Sequence, residues 1–499
     1  MLNFTPIAKP FFIARANSLS RHADDIEKVQ KETLARLLYA ARNTEIGRQY
    51  DFKSISSPVE FAERVPMRPY EEIRPQVMRM VAGERDVLWP GVTRRFAQSS
   101  GTSDGRSKFI PVTEESLRWN HYAGSSTVVA QYLKLYPDSK IFGGNSFILG
   151  GSFATALTDV PAGVHVGDLS ANMIDAMPSL AGAFRIPRSK DVALMTDWRE
   201  KLPALVEASI KADVRSISGV PSWFLTVIRE VMAKAGASSI HEVWPNLEVF
   251  FHGGISFDPY RAQYEAITDP KMRFLETYNA SEGFFAVQDL REHGAMMLLP
   301  DVGIFYEFEP LGGGKPVPAW EVQQGKVYAL ILSAPNGLWR YSTGDTVKIE
   351  STAPLRISIA GRTKLFINAF GEELMVHNSD AALTSTCNKL HCQVSDYTAA
   401  PVYTTDHSRG RHQWLVEFNG YRPDIKTFAK ELDSNLCHEN SDYAAKREGS
   451  IFLDPVEVIP LPKGTFDSWL ASTGKLGGQR KVPRLCPDRR IADAILQTV

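Results

Sequence analysis

Residues 98–113 read Gln-Ser-Ser-Gly-Thr-Ser-Asp-Gly-Arg-Ser-Lys-Phe-Ile-Pro-Val-Thr. Ser99, Ser100, Gly101, Thr102 and Ser103 form an unbroken run of small hydroxyl and glycine residues. Gly105 comes next, and Lys108 closes the loop. Glycines let successive backbone N–H groups point at one spot, and hydroxyls add further donors, which together make a nest for phosphate oxygens. A lysine adds a mobile positive charge. The chemistry these residues suit is the handling of a nucleoside triphosphate. The Walker spacing G-x-x-x-x-G-K-[ST] is absent, so this is a different kind of phosphate loop.

Four further motifs extend that reading. In Tyr278-Asn279-Ala280-Ser281-Glu282-Gly283 a single carboxylate stands beside serine and glycine. Magnesium often takes one or two carboxylates plus phosphate oxygens, so Glu282 is the candidate metal ligand. Tyr278 offers a ring face to a purine. In Trp339-Arg340-Tyr341-Ser342-Thr343-Gly344-Asp345 the carboxylate comes after a turn glycine and can accept both hydroxyls of a ribose. In Phe251-His252-Gly253-Gly254 two glycines close an apolar strand, which lets a flat ligand approach the backbone. His252 is given no proton-transfer role. Gly361-Arg362-Thr363-Lys364, running on to Asn368 and Gly371-Glu372-Glu373, falls where the texture of the chain changes and suits a hinge.

The elements that must hold these motifs can be read from periodicity. Residues 24–42 carry Ile26, Val29, Leu34, Leu37, Leu38 and Ala41 at helical spacing. Further helices are expected at 114–134 and 200–213. Ser146–Leu149, Leu247–Phe251, Met296–Leu299, Gly303–Phe308 and Val327–Ser333 read as buried strands. Strands alternating with helices predict an α/β fold: a large N-terminal domain of mostly parallel sheets with helices plus a β-rich part. Small α/β pieces at Ser379–Leu390, Gln413–Phe418 and Asp424–Leu436 predict a smaller, mobile α+β C-terminal domain. The expected division is 1–360 and 361–499, within the usual range of domain sizes for the smaller part.

The 499 residues are 43% hydrophobic and 23% charged, ordinary for a globular protein with a real core. The net charge is −1, from 56 basic and 57 acidic residues, so no long-range pull on nucleic acid or an anionic membrane is expected. Four cysteines (387, 392, 437 and 486) are too few for a disulfide framework and fit a reducing compartment. Cys387, His391 and Cys392 lack a second Cys/His pair at zinc-like spacing, and the cysteines read as buried free thiols rather than a metal site. Near the N-terminus Lys9, Pro10 and Arg15 interrupt Phe4, Phe11, Phe12 and Ile13, and no apolar run reaches signal-peptide or membrane-span length. A cytoplasmic protein, monomeric or weakly dimeric, is the expectation.

Taken in order, the five motifs resemble those of the adenylate-forming superfamily of acyl-CoA ligases, luciferases and peptide-synthetase adenylation domains. Tyr278–Glu282 matches its Tyr-Gly-x-Thr-Glu in length, with Asn279 and Ser281 substituted. Tyr341–Asp345 resembles its Tyr-Arg-Thr-Gly-Asp, with Ser342 for arginine. At the hinge Lys364 replaces the usual aspartate and Asn368 the usual lysine. Ser-Ser-Gly-Thr-Ser, Gly219–Trp223, Phe-Phe-His-Gly-Gly, Tyr-Asn-Ala-Ser-Glu-Gly and Gln479–Arg484 are similar to a narrower group, the auxin-responsive-promoter (Gretchen Hagen three) family of acyl acid amido synthetases, in its bacterial form. That resemblance runs from about residue 25 to 495.

The resemblance implies an ATP- and Mg²⁺-dependent ligase that adenylates a carboxylic acid and passes the acyl group to an amine, commonly an amino acid. It implies that Ser99–Ser103 and Lys108 bind the phosphates and that Asp345 binds the ribose. Gly253, Gly254 and Tyr278 would take the adenine, with Ser281 and Arg362 also at the nucleotide, and Glu282 would take the metal. The catalytic lysine is Lys481 in Lys-Val-Pro-Arg or Lys475 in Thr-Gly-Lys, the former having the longer surrounding match. Arg362 and Lys364 would form the hinge. Trp223, Phe251, His252 and the loop Gly167–Met173 are expected at the acyl pocket. Two alternatives stay open: a thiol acceptor, as in acyl-CoA or carrier-protein ligation, and a nucleotide-binding regulatory protein without turnover.

Overall fold

The computed structural model describes residues 3–99, 107–155, 157–255, 257–292, 294–311, 313–362, 366–405, 409–450, 452–472 and 482–499. Its strands are β1 Arg95–Ser99, β2 Lys108–Pro111, β3 Asn145–Ile148, β4 His165–Gly167, β5 Arg185–Ile186, β6 Val214–Gly219, β7 Val249–His252 and β8 Arg273–Ala280. Next come β9 Gly283–Val287, β10 Met296–Leu298, β11 Phe305–Pro310, β12 Val317–Pro318, β13 Val327–Ser333, β14 Tyr341–Thr352 and β15 Leu355–Arg362. Among the described residues twelve of these make one sheet in the order β12-β11-β13-β14-β15-β10-β9-β8-β7-β6-β3-β5. A second sheet joins β2-β1-β4.

The expected parallel sheet occupies one half of the large sheet. β5, β3, β6, β7 and β8 pair in parallel, and from β8 to β12 every pairing is antiparallel. The connections explain the switch. Helices Pro221–Ala235 and Asp258–Ile267 carry the chain back between β6, β7 and β8, as parallel crossovers require. The stretch from β8 to β9 is a tight turn at Ser281–Glu282, which only an antiparallel pair permits. Asn120 is buried beneath this hairpin. Its amide donates to the carbonyls of Phe284 (3.0 Å) and Val302 (3.1 Å), and its oxygen accepts from the Phe284 N–H (2.7 Å).

The expected helix at 24–42 is Ile26–Ala41, and that at 200–213 is Trp198–Ser209. The one at 114–134 divides into a π-helical turn, Ser116–His121, and an α-helix, Tyr122–Leu135. An unexpected helix, Thr5–Asp24, precedes them. Pro6 lies in its first turn, where a missing N–H costs nothing, and Ala16, Leu19 and Ala23 bury its inner side.

Beyond residue 366 lie β16 Phe366–Ile367, β17 Leu374–Met375, β18 Val394–Val402, β19 Arg411–Phe418 and β20 Glu457–Leu461. β16 and β17 pair as a hairpin, and β18-β19-β20 form a small sheet. Side chains alternate across β19: Trp414 and Val416 pack with Phe428 and Leu432, while Leu415 packs with Phe466 and Ile495 on the other face.

His121 closes the π-helical turn and is 1% exposed, and burial lowers its pKa from 6.5 to about 4. Between those values the unfolded chain takes up a proton that the folded protein does not. This contribution to stability is therefore present above pH 6.5 and lost as the pH falls towards 4. A His121→Asn protein should lose less stability than wild type between pH 7 and pH 4.5, by up to roughly 3 kcal/mol. Urea denaturation of both proteins across that range measures the difference, and parallel curves would contradict it.

Candidate active site

Three of the motifs meet at the switch between the parallel and antiparallel halves of the sheet. Ser99 and Lys108 are register partners at the ends of the antiparallel pair β1 and β2. Ser100, Gly101, Thr102 and Ser103 lie outside the described residues. The Lys108 ammonium donates to the Tyr341 hydroxyl at 3.1 Å, and that hydroxyl donates to Glu282 Oε1 at 3.2 Å. A chain of cation, phenol and carboxylate thus links β2, the first residue of β14 and the β8–β9 turn. Glu282 is 8% exposed, and Asn336 Nδ2 bonds its backbone carbonyl at 3.2 Å.

A second link runs beside the first. The Tyr278 hydroxyl donates to Asp345 Oδ2 at 2.6 Å. The Asp345 N–H bonds Thr343 Oγ1 (3.1 Å), whose own proton goes to the Leu330 carbonyl (2.9 Å). Asp345 therefore has a fixed backbone and a carboxylate oriented by a phenol. The Tyr278 ring is 5% exposed and sets its edge against Phe285 at 4.8 Å. Its observed part is to hold Asp345, a task that the spacing of the motif does not announce. Arg362 is the register partner of Asp345 across β14 and β15. Lys364 lies outside the described residues.

The glycine pair borders this group. A Cβ on Gly253 would stand 2.4 Å from the Thr277 carbonyl oxygen and 3.1 Å from Asn279 Oδ1. Gly254 has φ +84°, a conformation glycine adopts without strain. The backbone after β7 thus lies flat against the end of β8, next to Tyr278. Ser281 sits in the β8–β9 turn beside Glu282.

The expected acyl-pocket residues are not brought together. Successive residues of a strand face opposite sides. Phe251 packs edge-on against Tyr132 (5.5 Å) beneath helix Tyr122–Leu135, while His252 stacks on Phe257 (4.1 Å) across the sheet. Trp223 lies further off, donating Nε1–H to the Phe370 carbonyl at 3.1 Å. The loop Gly167–Met173 runs into helix Leu169–Asp175, anchored by Asn172 Nδ2 on the Phe96 carbonyl at 3.1 Å.

Lys475 and Lys481 both lie outside the described residues. The segment after Lys481 is pinned to β18: Thr398 Oγ1 donates to the Pro483 carbonyl (2.6 Å), Arg484 pairs with Asp396, and Leu485 bridges to Ala399. Sequence reasoning gave no role to Tyr341, Tyr70, Asn120 or Asn336. Tyr70 accepts the Phe109 N–H at 2.7 Å, and burial pushes its hydroxyl up to about 12, so it stays protonated beside Lys108. Among the described residues no cluster of three or more His, Cys, Asp or Glu side chains could hold a metal by itself. No helix among them is long and apolar enough to cross a membrane.

Three family profiles cover most of the chain: the GH3 family N-terminal domain at residues 15–271, the central domain at 296–362 and the C-terminal domain at 377–490. A probable indole-3-acetic acid-amido synthetase GH3.1 of Arabidopsis thaliana is 22% identical over 93% of this chain and 90% of its own. A jasmonoyl–L-amino acid synthetase GH3.5 of Oryza sativa is 24% identical over 92% of both. Among solved structures, the AtGH3.15 acyl acid amido synthetase in complex with 2,4-DB superposes with a TM-score of 0.63 at 17% identity, covering 100% of this chain and 97% of that one. A 2-hydroxyisobutyryl-CoA ligase superposes at 0.58 with 14% identity, covering 94% and 91%. At these identities the structural matches establish the fold.

Replacing Gly253 by alanine drives a methyl group into the Thr277 carbonyl, which is backbone and cannot rotate away. Gly253→Ala should cost about 1–3 kcal/mol of stability. Urea denaturation measures it, and an unchanged midpoint would show that β7 and β8 are less closely apposed than this.

Proposed function

The chain belongs to the GH3 family, and on that premise we propose that it is an ATP-dependent acyl acid amido synthetase. In the first half-reaction an oxygen of the acid's carboxylate attacks the α-phosphorus of ATP. The bond to the β-phosphate oxygen breaks, giving acyl-adenylate and pyrophosphate. In the second, an amino acid's amine attacks the acyl carbon, AMP leaves with the bonding pair, and the nitrogen loses its proton. The name of one relative, a jasmonoyl–L-amino acid synthetase, supports this acceptor class.

The observation that carries the reading is the meeting of Lys108, Tyr341 and Glu282 beside Tyr278 and Asp345. A nucleotide lying across the end of the sheet would set its ribose hydroxyls on Asp345 and its adenine along Gly253–Gly254. Its phosphates would meet Ser99–Ser103 and Lys108. Glu282 is a nearly buried carboxylate with a phenol on one oxygen, a donor suited to Mg²⁺ that arrives with phosphate oxygens. When bound there, Mg²⁺ offsets charge on the departing pyrophosphate. The Lys108 ammonium would supply a donor to the same charge.

We further assign adenylation to residues 1–360 and a capping role to residues 361–499, with Arg362 and Lys364 as hinge and Lys481, ahead of Lys475, as the lysine on the α-phosphate. A cytoplasmic, monomeric or weakly dimeric enzyme is part of the same reading.

The test is acid-dependent ATP–pyrophosphate exchange without amine, using aryl, indolyl and short aliphatic acids. Exchange with one acid class is expected, and Glu282→Ala should reduce it at least 100-fold. Amide formation with amino acids against thioester formation with coenzyme A then separates the acceptors. ATP binding without exchange for any acid would overturn the enzymatic reading.

A further inference from the structure

Two buried lysines face one another at the rim of the sheet, outside the group around Glu282. Lys201 lies on helix Trp198–Ser209 and is 1% exposed. Its ammonium donates to the carbonyls of Gly150 (2.8 Å) and Gly151 (3.1 Å) and lies 4.9 Å from the Trp198 ring centre. Lys446 comes from helix Ser441–Arg447, in the part of the chain after the hinge motif, and is 8% exposed. Its ammonium lies 3.9 Å from the ring centre of Trp223. The two indoles meet edge to face at 5.9 Å, and Phe452 closes against both.

The two lysines differ in one respect. Lys201 is satisfied by two carbonyls and buttresses the Gly150–Gly151 turn. Lys446 makes no hydrogen bond with any described residue, and no described carboxylate comes within ion-pair distance. Burial depresses its pKa, while Asp442, Asp168, Glu372 and Glu373 act from a distance to raise it. A largely buried ammonium with no partner among the described residues is stabilised by an arriving anion. Gly371, at φ +88°, lies against both Lys446 and Trp223, where a Cβ would come within 3.4 Å of the lysine Cε and 3.6 Å of the indole.

Position supplies the identity of the anion. Gly150–Gly151 succeed β3 as Gly253–Gly254 succeed β7, with β6 between. Two strand spacings put them about 10 Å from the glycines at the nucleotide end, along the edge where parallel sheets bind ligands. An acyl-adenylate laid from Asp345 past Gly253 points its acyl end this way. Lys446 stands near this edge: its charge acts on Lys201, which holds Gly150 and Gly151, and the Trp223 ring beneath it meets Trp198 of the Lys201 helix.

We propose that Lys446 determines acceptor specificity by binding the carboxylate of the amino acid, so that acceptor recognition belongs to the C-terminal part of the chain. This rests on the amino-acid acceptor proposed above. The ion pair forms only on binding, beside the Trp223 ring that already carries the ammonium.

The experiment compares wild type with Lys446→Met, which keeps a long side chain on Trp223, and with Lys446→Arg and Lys446→Gln. An acid that supports exchange in wild type is used with the preferred one of the twenty amino acids and with the amine made by its decarboxylation. Pyrophosphate exchange, which needs no acceptor, serves as the folding control for each variant. In Lys446→Met and Lys446→Gln the KM for the amino acid should rise at least tenfold, while the KM for the decarboxylated amine stays within twofold. Lys446→Arg should recover most of the loss. Equal losses with both acceptors would make the lysine a structural latch and overturn the proposal with the amido synthetase reading intact. A fall in exchange would assign the ammonium to the phosphates and overturn it too. Wild type that exchanges pyrophosphate yet joins no amino acid would remove the reading itself, and the proposal with it.

Discussion

The site depends on a buried ion pair that takes no part in its chemistry. Arg340 sits one residue before β14 with φ 42° and is 5% exposed. Nε and Nη2 bond the Glu307 carboxylate of β11 at 2.8–3.1 Å, and Nη1 reaches the carbonyls of Ala62 (2.8 Å) and Val65 (2.9 Å). Its N–H is held by Ser333 Oγ, and its carbonyl accepts from the Arg68 N–H. A charge this deep is tolerable only when its donors are met, and removing one partner of such a pair typically costs about 3–5 kcal/mol. One residue, through its side chain and its backbone N–H, therefore fixes β11, β13, the start of β14 and the end of helix Pro58–Arg64 together. Tyr341, the next residue, has its hydroxyl delivered to Glu282 and Lys108 by that constraint. Four residues on, Asp345 meets Tyr278. The arginine of the third motif is the anchor, and Tyr341 and Asp345 make the contacts to Lys108, Glu282 and Tyr278.

Much of this was legible in the sequence because local rules dominate there. β13 is found at the residues its apolar run marks, and helix Ile26–Ala41 keeps to its 3.6-residue stripe. Glycines at a strand end and a lone carboxylate after serine are readable because few residue types serve those purposes. The helix Thr5–Asp24 was hidden by Pro10 and by polar residues that break its stripe; packing against helix Tyr122–Leu135, not propensity, holds it in place.

The unreadable parts are those decided by neighbours distant in sequence. Asn120 and Asn336 look like surface polar residues in a linear chain, yet each closes backbone hydrogen bonds around the β8–β9 turn. Tyr278 carries a motif that suggests an exposed ring, but its neighbours bury the ring and use the hydroxyl. Phe251 and His252 are adjacent in sequence and so cannot line one wall of a strand. Lys446 is separated from Trp223 by more than two hundred residues, and nothing in the stretch around it distinguishes it from a solvated lysine.

The seam between the two parts of the chain has a construction that bears on movement. The Glu372 carboxylate is fully buried in the hairpin β16–β17, where it accepts the N–H groups of Ala369 (3.2 Å) and Phe370 (2.6 Å) and meets His412 Nε2 of β19 at 2.8 Å. The hairpin is thereby tied to the C-terminal sheet. Its outward carbonyls are offered across the seam, Ala369 to the Tyr260 hydroxyl (2.7 Å) and Phe370 to the Trp223 indole. Gln263 reaches the Thr404 carbonyl in the same manner (2.6 Å). Side-chain donors on backbone carbonyls can be exchanged for water at little net cost, since a hydrogen bond contributes only about 1 kcal/mol once its hydrated alternative is counted. The pair inside the hairpin cannot be so exchanged, because parting it would strand a charge in the core. If the C-terminal part turns, the bonds across the seam will yield before the hairpin does, and the rotation must be taken up upstream of β16, where Arg362 and Lys364 stand.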